Sequence, residues 1–76
     1  MLAQLQRVFR KVFGDEKLEI DMGTSSKDIK MWDSLTHLEL IVAVEEEFGI
    51  QFSFSEVMQF DTVGDMLNAV QELKNK

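Results

Sequence analysis

Apolar residues recur along this chain in helical blocks, separated by stretches where the rhythm fails. Residues 2–13 place Leu2, Leu5, Val8, Phe9, Val12 and Phe13 at spacings of three and four, the pattern of an amphipathic helix. Gly14-Asp15 supplies a stop. Residues 15–33 hold no sustained period and contain Gly23-Thr24-Ser25-Ser26, so an ordered loop is predicted, pinned by Leu18, Ile20, Met22, Ile29 and Trp32. A loop that long in a compact domain is uncommon and tends to be functional.

The second helix is predicted from about Ser34 to Phe48, with a stop at Gly49. His37, Leu40, Ile41, Val44 and Phe48 form its core-facing stripe, and Leu35, Glu39, Val42 and Glu46 a stripe for solvent or a partner. Ile50-Gln51-Phe52 alternates like a strand, yet three residues make no sheet alone. Ser53 with Glu56 has capping-box spacing for a short helix over about 55–60. Thr62 with Asp65 offers the same start to a last helix, buried through Val63, Met66, Leu67, Val70 and Leu73. The expected fold class is all-α: a four-helix bundle of three main helices and one short one, with a long first loop, forming a single domain over 1–76.

At 76 residues the chain is near the lower limit for one core without staples. It has no Cys, so disulfides, thiol nucleophiles and thiolate metal sites are excluded. Stability must come from packing and is expected at about 4–11 kcal/mol. Arg7, Arg10 and Lys11 sit in a helical pattern without the apolar core of a signal peptide, and no apolar run approaches membrane-span length. A soluble, monomeric, cytoplasmic protein is the expectation.

Charge changes the picture more than length does. The net charge is −6, and between Met31 and Leu73 there is no Lys or Arg, while Asp33, Glu39, Glu45, Glu46, Glu47, Glu56, Asp61, Asp65 and Glu72 are acidic. Phosphate backbones need basic residues, so nucleic acid is an unsuitable partner. Basic protein surfaces suit the charge, through long-range steering, although an acidic face also serves solubility alone.

The chemistry concentrates at Trp32-Asp33-Ser34-Leu35, where loop gives way to the second helix. Asp33 or Ser34 can cap that helix by accepting a backbone N–H. Alternatively, the Ser34 hydroxyl is an attachment point, since a helix N-terminus with unpaired N–H groups and a positive dipole end suits a phosphate ester.

Asp33-Ser34-Leu35, then Leu38-Glu39-Leu40 and Glu45-Glu46-Glu47-Phe48-Gly49-Ile50, closely resembles the acyl carrier protein family, and the resemblance covers the whole chain. It implies a carrier rather than an enzyme, with 4′-phosphopantetheine transferred from coenzyme A to Ser34 by a separate Mg²⁺-dependent phosphopantetheinyl transferase. Acyl groups would ride as thioesters on the arm's thiol. It further implies that Asp33, Leu35, Glu39, Val42, Glu45 and Glu46 meet basic grooves on the transferase and on acyl-activating, condensing and acyl-transfer enzymes. The family also suggests an acyl chain hidden between the helices, with Met22, Met31, Met58 and Met66 lending plasticity, or with the six Phe residues filling that space instead.

The carrier role so implied serves fatty-acid, polyketide or related specialised lipid biosynthesis, and departures from the family pattern leave the choice of pathway open while favouring a specialised one. Thr36 stands where bacterial fatty-acid carriers commonly have an acid, His37 follows, and Trp32 replaces a small residue. These resemble stand-alone carriers of specialised polyketide, peptide-hybrid or modified-lipid routes, with Trp32 also serving as a lid that packs the loop. Ser34 with His37 would alternatively suggest a nucleophile and base, but a chain this small rarely encloses an active-site pocket. One His and scattered carboxylates match no metal spacing. An aminoacyl, peptidyl or D-alanyl carrier, and an unmodified helical interaction module, remain the alternatives.

Overall fold

The computed structural model describes residues 1–75. Among them it forms four helices: α1 Leu2–Phe13, α2 Ser34–Phe48, α3 Phe54–Gln59 and α4 Val63–Lys74. Three of the four begin at a reciprocal cap, Asp33 with Thr36, Ser53 with Glu56 and Thr62 with Asp65. Each such cap satisfies N–H groups that a helix start leaves unpaired. α3 begins at Phe54 because Ser53 is the capping residue, one position earlier than the predicted helix. α1 and α2 end at Gly14 and Gly49, both left-handed with φ 64° and 65°, a conformation that costs a side chain but not a glycine. Lys74 Nζ donates to the Phe48 carbonyl at 3.1 Å and satisfies the end of α2.

The helices close over Leu5, Phe9, Leu40, Val44, Val63, Met66 and Val70, all fully buried. α1 lies along α2, and Gln4 Nε2 donates to Glu47 Oε2 across the pair at 3.0 Å. No helix among the described residues is long and apolar enough to cross a membrane.

The long loop is ordered by both side chains and backbone. Ile20, Ile29 and Trp32 are buried and Leu18 is half-buried. Arg10 Nε donates to the Leu18 carbonyl at 2.6 Å, and the Ile20 N–H donates to Gln6 Oε1 at 2.9 Å. Met22 corrects the expected anchors: its side chain is exposed, and its carbonyl does the anchoring. That carbonyl accepts the Gly64 N–H at 2.9 Å, while the Thr24 carbonyl accepts the Val63 N–H at 2.8 Å. The loop therefore satisfies two N–H groups at the start of α4. Gly64 is the residue that permits this, because a Cβ there would lie 2.7 Å from the Met22 oxygen.

Ile50-Gln51-Phe52 follows its alternation in burial without forming a strand; Phe52 is buried and its N–H donates to Glu45 Oε2 at 2.8 Å. The expected methionine plasticity is also corrected. Met66 is fully buried, but Met22, Met31 and Met58 are exposed, so the interior is built from Phe9, Phe13, Phe48 and Phe52 with aliphatic residues. Of these four methionines, only Met66 is placed where an unbranched thioether chain could soften the core.

Candidate functional site

The junction of loop and α2 resolves which residue caps. Asp33 is extended at φ −116°, ψ −172°, and its Oδ1 accepts the N–H groups of Leu35 and Thr36, each at 3.0 Å. The Thr36 hydroxyl accepts the Asp33 N–H at 2.8 Å and donates to the Met31 carbonyl at 2.6 Å. An acid at position 36 could accept but not donate, so threonine ties α2 to the loop as well as closing the cap. The bonds from Thr36, backbone first, hold the Asp33 carboxyl below its ordinary value of 3.8, against a smaller opposing desolvation, and the Leu35 N–H adds to the effect.

Ser34 is the first residue of α2, and its side chain is exposed. Among the described residues its hydroxyl has no hydrogen-bond partner, because Asp33 does the capping. One expectation changes here. The α2 N-terminus does not offer all its N–H groups to a phosphate, since the Asp33 carboxylate occupies those of Leu35 and Thr36.

His37 lies one turn beyond Ser34 and is fully engaged. Trp32 Nε1–H can only donate, and it meets His37 Nδ1 at 2.9 Å. The proton is therefore on Nε2, which donates to the Val57 carbonyl at 3.0 Å. Both ring nitrogens are spoken for, so His37 is not a base for Ser34. Trp32 is the lid expected from the sequence: buried, edge-on to Phe9 at 5.3 Å and near-parallel to His37 at 6.0 Å. Beside Ser34 opens a groove of about 490 Å³, floored by Trp32, His37 and Val57 and walled by Leu38, Phe54 and Met58. Phe54 is 77% exposed, an apolar wall that nothing in its sequence spacing announced.

The outward stripe of α2 is where the periodicity put it. Leu35 is 70% exposed and Val42 54%, and Asp33, Glu39 and Glu46 are exposed beside them. Glu45 is half-buried and turned toward Phe52, whose N–H its carboxylate accepts. A second groove, of about 610 Å³, runs between α1 and α2 and is lined by Arg7 and Lys11 as well as Glu39, Val42 and Glu46. The acidic stretch is thus bordered in space by basic residues far away in sequence. No three His, Cys, Asp or Glu side chains among the described residues converge as a metal site.

This arrangement matches known proteins closely. Residues 3–70 match the family described as "Phosphopantetheine attachment site". The chain belongs to the acyl carrier protein family. The solution NMR structure of the holo acyl carrier protein from Geobacter metallireducens is similar, with a TM-score of 0.90 and 36% identity, covering 97% of this chain and 85% of that one. The acyl carrier protein of Rhodococcus erythropolis is 28% identical over 74 residues, 97% of this chain and 81% of the relative. The protein is accordingly a carrier rather than an enzyme, and its prosthetic group is 4′-phosphopantetheine. The residues fit that group: an exposed, unengaged hydroxyl stands at the positive end of a fifteen-residue helix.

Proposed function

We propose that Ser34 is the attachment residue and that 1–76 works as one carrier domain for a specialised acyl pathway. The observation that carries this is the division of labour at the α2 start, where Asp33 caps and the Ser34 hydroxyl is left exposed and unpartnered. The hydroxyl oxygen forms a phosphodiester and loses its proton, while coenzyme A is cleaved to release adenosine 3′,5′-bisphosphate; a separate Mg²⁺-dependent transferase carries out that step. Once bound, the group supplies the thiol that carries acyl thioesters and that a Cys-free chain lacks.

Asp33, Leu35, Glu39, Val42 and Glu46 form the docking face, with Leu35 and Val42 as apolar anchors among charges. Such a face favours fast, reversible encounter with basic grooves of the transferase and of acyl-activating, condensing and acyl-transfer enzymes. Glu45 contributes from the side, by shaping the turn after α2. Trp32 and His37 share one hydrogen bond, and Thr36 separately ties the loop to α2; these departures from the family pattern support a carrier outside housekeeping fatty-acid synthesis. The reaction partners implied are cytoplasmic enzymes of polyketide or modified-lipid type.

Incubation with coenzyme A, Mg²⁺ and a broad-specificity phosphopantetheinyl transferase is expected to add one prosthetic group by intact mass. Ser34→Ala abolishes the addition and leaves helical circular dichroism unchanged, because residue 34 makes no cap. Absence of any mass gain with a competent transferase would overturn the assignment.

A further inference from the structure

An acyl group tethered beside Ser34 has two refuges from water, the open groove or the space between α2 and α3. The second is crossed by a hydrogen bond. His37 of α2 and Val57 of α3 are tied by a hydrogen bond of 3.0 Å, and Trp32 ties the loop to the same imidazole at 2.9 Å. Trp32 and Val57 are buried, and Phe9 and Phe13 back the indole at 5.3 and 6.4 Å. Entry of a chain between the helices therefore requires the part-buried His37–Val57 bond to break, while the Trp32 indole holds the imidazole in place for that bond. An apolar contact at the same place would part without that penalty.

We propose that the Trp32–His37–Val57 bridge is a gate that keeps acyl cargo of any length in the surface groove and out of the space between α2 and α3. The groove fits that role. It offers about 490 Å³, and its walls Leu38, Phe54 and Met58 are open to solvent, so a chain lying there stays partly wet. His37 and Trp32 are positioning residues for this gate and take no part in thioester chemistry. The inference rests on Ser34 carrying the arm.

The test loads the full-length protein from acetyl-, butyryl-, octanoyl- and dodecanoyl-coenzyme A with the same transferase, in wild type, His37→Ala and Trp32→Phe. Cleavage of each thioester by hydroxylamine reports shielding, and a cargo buried nine-tenths of the time reacts about ten-fold more slowly. In wild type, the four thioesters should be cleaved at similar rates, and the sole indole N–H resonance, that of Trp32, should stay in place on loading. In His37→Ala the octanoyl and dodecanoyl thioesters should survive about ten-fold longer. Trp32→Phe, which keeps the aromatic packing and removes one of the two bonds, should fall between and remains informative if His37→Ala fails to fold. Long-chain thioesters already shielded in wild type, or equal cleavage in wild type and both variants, would overturn the gate while Ser34 stands. No mass gain on loading would overturn both.

Discussion

Asp33, Ser34 and Thr36 divide three tasks that a sequence reader could assign to one residue. The carboxylate of Asp33 accepts two N–H groups, the Thr36 hydroxyl joins loop to helix, and Ser34 is left without structural duty. Replacing Asp33 with Ala should lower Tm by a few degrees, and Asn, itself a good cap, should restore most of the loss. The pH dependence has a fixed sign. Because the folded carboxyl sits below 3.8, its contribution is complete above that value and disappears as pH falls through the lowered one. A thermal melt series on acidification should show this part of the loss in wild type and not in Asp33→Asn. Glu45 teaches the complementary lesson: an acid grouped with Glu46 and Glu47 in sequence also serves the backbone of Phe52.

Among the elements, α4 depends on its neighbour more than its own pattern shows. Its first N–H groups are satisfied by the loop carbonyls of Met22 and Thr24, and the approach leaves no room for a side chain at position 64. Gly64→Ala should therefore destabilise by about 1–3 kcal/mol in urea titration, although alanine is the better helix former. Gly49 gives the contrasting case. Nothing lies near its missing Cβ, so Gly49→Ala should cost about 1 kcal/mol through backbone conformation alone. In the core, Leu40 is fully buried, and Leu40→Ala should cost about 2–5 kcal/mol. That is a large share of the stability expected for a chain of this size.

Across the whole molecule, charge acts on both stability and association. A net charge of −6 on 76 residues repels itself, so added salt or Mg²⁺ should raise Tm; a flat response across ionic strength would show that repulsion is not limiting. Arg7 and Lys11, across the groove from Glu39 and Glu46, moderate that repulsion on the docking side. Reversing both acids, as Glu39→Lys with Glu46→Lys, should reduce kcat/KM of the transferase about ten-fold at low salt, with a smaller effect at high salt. Circular dichroism should remain unchanged, since both side chains are exposed.

What the sequence determined by itself was local or periodic. Helix spans, stops and the boxes at Ser53 and Thr62 follow from spacing, because capping and amphipathic burial act within four or so residues. The position of Ser34 at the start of α2 and the outward face of Leu35, Glu39, Val42 and Glu46 follow in the same way. Tertiary structure decided whatever depends on distant partners. It chose Asp33 as the cap, held Met22 by its carbonyl while leaving its side chain outside, and set Arg7 and Lys11 beside the acids of α2. It also closed the bridge from Trp32 through His37 to Val57, twenty residues further on, which no period encodes. A hydrogen bond needs its partner within about 3 Å, and only the folded chain brings such pairs together.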